Sequence, residues 1–126
     1  MYLVGGAHPH KADAQLLLER SSAAGEYLVT DAEVLREIVH RYAALNRREV
    51  IGPAIDILLG FADEVFPIDT ELVLRASRII LGPESLSARD ALHVAVMERH
   101  RIHQIMSFDS DFDRWPGITR LSSFDA

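Results

Sequence analysis

Ser87-Ala88-Arg89-Asp90-Ala91-Leu92-His93-Val94-Ala95-Val96-Met97 constrains the fold more than any other stretch of this chain. Beyond Asp90 it is apolar almost throughout, so a helix here is buried on most of its circumference. Ser87 suits the N-cap, which places Asp90 in the first turn, near the positive end of the helix dipole. After this helix come a short apolar run and then Phe108-Asp109-Ser110-Asp111-Phe112-Asp113, with an acid at every second position. A helix that opens with an acid, followed by a strand that delivers more acids at its end, gathers carboxylates around a metal in α/β proteins. The bland alternative is a capping box, in which Asp90 only returns to the backbone N–H of Ser87.

The rest of the chain alternates helical periodicity with short apolar runs. Residues 1–7 are apolar and Gly-rich, compatible with a strand, a helix end or a tail. An amphipathic helix is predicted from His8 to about Ser22, ending before Gly25, and Glu26–Val29 reads as a strand. Thr30-Asp31-Ala32-Glu33 is a second capping box, opening a helix to about Ala44 with Val34, Ile38, Tyr42 and Leu45 on its buried side. Glu33 is accounted for by that cap; Glu37, one turn further in, is not. A helix from Arg47 to about Ala62 is weakened at Gly52-Pro53. Glu64–Ile68 reads as a strand near an edge, because of Pro67. A helix opening at Asp69 or Thr70 runs to about Leu81, with Leu72, Val73, Ala76, Ile79 and Ile80 apolar, and stops at Gly82-Pro83. The central helix ends in Arg99-His100-Arg101, Ile102–Ser107 is a buried strand, and Ile118–Leu121 a last short one. Such alternation indicates an α/β fold, a short parallel sheet flanked by helices, in one domain spanning residues 1–126. Ligands of such sheets bind at the carboxyl ends of the strands, and Glu37, Asp90 and Asp109 all fall at that edge.

Composition narrows the chemistry. There is no cysteine, which excludes a disulfide framework and thiolate metal sites and leaves oxygen or imidazole ligands. No apolar run is long enough to span a bilayer, and the first residues lack the features of a signal peptide, so a cytoplasmic protein with no membrane partner is expected. The net charge of -6 argues against simple electrostatic binding of nucleic acid. Its basic side chains, however, are all arginine except Lys11, and arginine is the better fork for phosphate. Asp and Glu without Cys form a hard-oxygen site suited to Mg²⁺, with Mn²⁺ as a substitute, ions that activate water and neutralise charge as a phosphodiester is cleaved. His93, one turn after Asp90, is placed to support that carboxylate or touch substrate, or else is a hydrogen-bonded core histidine. His8-Pro9-His10 reads as a solvated helix entry. No Gly-rich phosphate loop and no G-x-S-x-G elbow is present.

Three segments together, Thr30–Ile38, Leu86–Ala95 and Met106-Ser107-Phe108-Asp109-Ser110-Asp111-Phe112, resemble PIN-domain proteins, specifically the VapC-type toxins of bacterial toxin-antitoxin pairs. The resemblance covers nearly the whole chain. It implies a Mg²⁺-dependent endoribonuclease with a compact three-layer α/β fold, acting on RNA, forming a homodimer and inhibited by a VapB-type antitoxin. By position it implies that Glu37, Asp90 and Asp109 are metal-site acids, with Asp111 an additional one and Ser107 a polar support. One departure stands out. Members of the family begin with a central strand ending in an Asp that ligates the metal, and here Met1–Gly6 resembles instead the start of the helix that follows it. The expected fold therefore lacks the usual first strand, either because the chain begins at an internal methionine or because the ligand is truly absent. The latter motivates an alternative function, a catalytically degenerate domain that only binds protein. The sequence encoded upstream of Met1 would separate the two.

Overall fold

The computed structural model describes residues 1–6, 8, 9 and 11–122. Five strands form one parallel sheet: β1 (Tyr2–Val4), β2 (Leu28–Asp31), β3 (Glu64–Phe66), β4 (Gln104–Met106) and β5 (Thr119–Leu121), in the order β3-β2-β1-β4-β5. The connections carry α1 (Ala12–Ala23), α2 (Ala32–Ala44), α3 (Ile51–Phe61), α4 (Thr70–Ile80) and α5 (Ala88–His100), with single 3-10 turns at Arg48–Val50 and Ser110–Arg114. Side chains alternate across a strand, so the sheet buries two cores. Leu3, Val29 and Ile105 face α4 and α5, together with Phe66, Leu72, Val94 and Phe112. Val4, Leu28 and Met106 face α1, α2 and α3, together with Leu17, Val34, Ile38 and Leu58. The expected α/β sheet with helices on both faces is what the chain forms.

Met1–Gly6 departs from expectation. Instead of beginning the first helix, Tyr2–Val4 occupies the centre of the sheet, pairing Tyr2 with Leu28 and Leu3 with both Val29 and Ile105. An empty slot between β2 and β4 would leave both their ladders unpaired in the interior, and Leu3 and Val4 supply one apolar side chain to each core. Gly5 continues the strand by donating its N–H to the Met106 carbonyl at 3.0 Å, and Thr30 Oγ1 donates to the Val4 carbonyl at 2.8 Å.

Helix starts follow the sequence closely. Ser87 Oγ accepts from the Asp90 N–H, Asp69 from Leu72, and Asp31 from Val34. The last shifts the expected cap of α2 from Thr30 to Asp31, because Thr30 is held in β2 by its bond to β1. Glu33 thereby loses its capping role and pairs with Arg36 at 2.6 Å. Leu45, expected on the buried side, is exposed, as are Val73 and Ile80 on α4. His10 lies outside the described residues.

The α5 helix ends with Arg101 in the left-handed region, at φ 56° and ψ 43°. A Cβ there is strained, and Arg101 is exposed, so Arg101→Gly should stabilise the protein by about 0.5–1 kcal/mol in urea unfolding. A loss of stability would show that the arginine side chain contributes more than its backbone costs.

Candidate metal centre

The sheet order reverses between β1 and β4, and the crevice beyond their carboxyl ends is where such sheets hold ligands. A cavity of about 220 Å³ lies there, lined by the apolar Val4, Leu17, Leu18 and Met106 and by the charged Glu37, Arg89, Asp90 and Asp109. Two geometric rules bring the acids to it. A helix that feeds a parallel strand starts at that strand's carboxyl edge, which places Asp90 in the first turn of α5. The acidic turn after β4 emerges at the same edge.

Carboxylate oxygens of Asp90, Asp109 and Asp111 lie within 4.8 Å of one another. Asp109 is held by two bonds of its own turn: its N–H donates to Ser107 Oγ at 3.0 Å, and its Oδ1 accepts from the Asp111 N–H at 2.9 Å. Ser107 thus orients the Asp109 backbone. Asp113, the third acid of that run, turns away and is tied by two bonds to Arg120. Glu37 stands outside the group of three, on α2. It is linked to them by Arg89, whose guanidinium reaches Glu37 at 3.3 Å, Asp90 at 3.4 Å and Asp109 at 3.5 Å.

Asp90 is 1% exposed, and its Oδ2 has no hydrogen-bond partner. The capping-box reading therefore fails for the carboxylate: Ser87 Oγ accepts the Asp90 N–H, but the Asp90 oxygens do not return to the Ser87 N–H, Oδ1 meeting Arg89 and Oδ2 having no partner. Burial pushes the Asp90 carboxyl up from its ordinary range, Arg89 pulls it back, Asp109 pushes it up again and His93 pulls it back. A buried acceptor without a donor costs about 1–3 kcal/mol unless a cation takes it. That oxygen, together with an all-carboxylate donor set, fits a hard divalent ion.

His93 is 1% exposed and lies in the wall of the cavity. It supports a carboxylate, but that of Asp31: Nδ1 lies 2.6 Å from Asp31 Oδ2, inside the protein. This pair joins α5 to the start of α2, and so the helix of Asp90 to that of Glu37. Burial pushes the imidazole down, but the charges of Asp31, Asp90 and Glu33 and the bond to Asp31 outweigh it, and the net shift is upward. Sequence reasoning gave Asp31 only a place within a cap and gave Arg89 no individual role. The one available signal was an arginine adjoining the first acid of an otherwise apolar helix.

Comparison with known proteins decides the family. The PIN domain model matches residues 1–118. A VapC ribonuclease of Mycobacterium bovis and ribonuclease VapC13 of Mycobacterium tuberculosis are each 58% identical over 122 residues, covering 97% of this chain and 93% of the relative. The chain belongs to the PIN-domain family, among the VapC ribonucleases. Ribonuclease VapC23 of M. tuberculosis is 31% identical over 86% of each chain. Solved structures share the PIN fold: VapC20 of M. tuberculosis, a sarcin-ricin loop cleaving toxin, matches with a TM-score of 0.76 at 21% identity, covering 94% of this chain and 97% of that one. VapBC2 of Rickettsia felis, bound to a DNA fragment from its promoter, matches with a TM-score of 0.72 at 14% identity, covering 96% and 98%.

The buried pair gives this PIN domain a definite pH response. His93 titrates above its ordinary value of 6.5, so the stability it contributes is fully present below pH 6.5 and is lost as pH rises through the raised value. In His93→Gln that decline should disappear, and the unpaired Asp31 should cost about 3 kcal/mol. Urea unfolding of both proteins as a function of pH checks this; a wild-type stability that rises over the same window contradicts it.

Proposed function

We propose that this chain is a single-domain, metal-dependent endoribonuclease toxin of the cytoplasm, with Mg²⁺ as its ion and Mn²⁺ as a substitute, neutralised by a VapB-type antitoxin. Two observations carry the proposal: Asp90 Oδ2 is buried without a partner, and a carboxylate oxygen of Asp90 lies within 4.8 Å of oxygens of Asp109 and Asp111. Asp90, Asp109 and Asp111 would hold the ion, and Glu37 completes the acidic wall from α2. When bound, the ion supplies an activated water and neutralises the charge developing on the RNA phosphate. Ser107 keeps Asp109 turned toward the site, and the His93–Asp31 pair keeps α2 and α5 in register, which fixes the Glu37 wall against Asp90. Burial of Asp90 strengthens the charge interactions of that carboxylate, while Asp109 and Asp111 remain open to solvent. The relatives named as VapC ribonucleases support the activity, and the R. felis VapBC2 assembly supports an antitoxin partner.

A second reading rests on one observation: Gly5 stands at the end of β1, where the family resemblance leads to an acid. A domain short of that ligand would act as a protein-binding module only, with no cleavage. Asp90→Asn separates the two. Because burial raises the Asp90 carboxyl, its ionised form burdens the fold, so the amide should leave stability in EDTA unchanged or higher. It should also lower Mg²⁺-dependent RNA cleavage by about 10²-fold or more. A wild-type chain that cleaves no RNA with Mg²⁺ or Mn²⁺ would support the module; an Asp90→Asn protein as active as wild type would overturn the site.

The antitoxin is proposed to place an arginine or lysine into the acidic pocket. Co-expression with the small protein encoded beside this gene, followed by size exclusion, should yield one complex, built on a two-fold dimer of this chain. Separate elution at micromolar concentration would count against it.

A further inference from the structure

Arg89 sits where a cation would be expected, yet it is poorly bound there. Several other arginines have at least one short contact to a carboxylate: Arg36 and Glu33 at 2.6 Å, Arg99 and Asp69 at 2.7 Å, Arg75 and Glu98 at 2.8 and 2.9 Å. Charge-assisted bonds have those lengths. Arg36–Glu37, Arg99–Glu71 and Arg114–Asp111 are long, at 3.3, 3.5 and 3.4 Å. The three contacts of Arg89 are 3.3, 3.4 and 3.5 Å, shared among three acids on three elements. Its guanidinium is held by the summed field of the cluster rather than by a directional fork. It also leaves Asp90 Oδ2 unsatisfied, although that oxygen is buried beside it.

We propose that Arg89 is an exchangeable counter-cation: it neutralises the acids in the metal-free protein and, when a divalent ion takes Asp90 and its neighbours, it is released to bind a phosphate oxygen of the RNA. This rests on the metal-site reading above. Two positive groups cannot share the space between Asp90 and Asp109, and the compact double charge takes the carboxylates more strongly than a diffuse guanidinium does. Arg89 is free to leave. It lies in the first turn of α5, its side chain is 37% exposed, and it belongs to neither apolar core. Where it leaves to is also set. The rim of the cavity adjoins the amino end of α5, where unbonded N–H groups favour an anion. A phosphodiester entering over the acids meets that end first, and a planar guanidinium can bind two of its oxygens at once. The same side chain thus serves as a plug without substrate and as a clamp with it, which couples metal entry to RNA binding.

Two measurements on the intact chain test this. In the first, Mn²⁺ binding without RNA is followed by the electron paramagnetic resonance of the free ion. Arg89→Gln should bind Mn²⁺ about tenfold more tightly than wild type, Arg89→Lys should stay close to wild type, and Asp90→Asn should lose the site. In the second, a short labelled 2′-O-methyl RNA of mixed sequence is bound at several salt concentrations. With saturating Mn²⁺, the log–log salt slope of Arg89→Gln should be shallower than that of wild type by about one unit, and in EDTA the two slopes should agree. If Asp90→Asn binds Mn²⁺ like wild type, the metal-site reading itself fails. If Asp90→Asn loses the ion but Arg89→Gln binds it no more tightly than wild type, or if the slopes agree in Mn²⁺, the exchange is overturned while the site stands.

Discussion

A carboxylate carried into a protein interior needs a counter-charge, and among its described residues this small α/β domain carries three there: Asp31, Glu33 and Asp90 are each less than a tenth exposed. Two are satisfied within the chain. Asp31 takes the imidazole of His93, and Glu33 takes the guanidinium of Arg36. The third is satisfied only in part, because Arg89 reaches one oxygen of Asp90 and leaves the other without a donor. The residual charge is therefore concentrated at one place, beyond the carboxyl ends of β1 and β4, where Asp109 and Asp111 add to it. A fold under no functional constraint would relieve this with a second donor. Here the deficit is kept, on a helix whose other positions are almost entirely apolar.

The fold makes the deficit affordable. Two apolar cores, one on each face of the sheet, hold α2 and α5 on opposite sides, and the buried Asp31–His93 pair joins them over the edge of β2. Breaking a buried pair costs several kcal/mol, so the two acid-bearing helices are fixed relative to each other. The turn after β4 is fixed independently, by Ser107 and by the hydrogen bonds of Asp109 itself. Three rigid supports meeting at one edge hold the acids in place, and a functional site depends on such a supporting shell for its geometry.

Much of this was legible in the sequence because it depends on topology. Helix periodicity and turn residues located α1 to α5 within a few residues, and the edge rule for parallel sheets placed Glu37, Asp90 and Asp109, which line one cavity; Asp111 entered only through the family resemblance, and it, rather than Glu37, completes the group of three. The readings that failed depend on which neighbour a side chain chooses. Glu33 and Thr30 formed a plausible capping box, but β2 extends two residues further than its apolar run suggests, and Asp31 took the cap. For His93 the sequence left support of Asp90, contact with substrate and a hydrogen-bonded core histidine open; it is a buried, hydrogen-bonded histidine, and its partner Asp31, at the start of another helix, is set by tertiary packing. Tyr2–Val4 is too short for a periodicity to separate strand from helix, and only the vacancy between β2 and β4 decides it. Arg89 was visible but its direction was not, since a first-turn arginine usually points to solvent.

The central claim is that the unsatisfied oxygen of Asp90 belongs to a divalent ion. Anomalous diffraction from crystals of the wild-type chain soaked in Mn²⁺ tests it most directly. A single anomalous peak within bonding distance of Asp90 Oδ2, shared with Asp109 or Asp111 and accompanied by movement of the Arg89 guanidinium away from Asp90, is the result expected. A fully soaked crystal with no peak at Asp90, and Arg89 still between the acids, would contradict it.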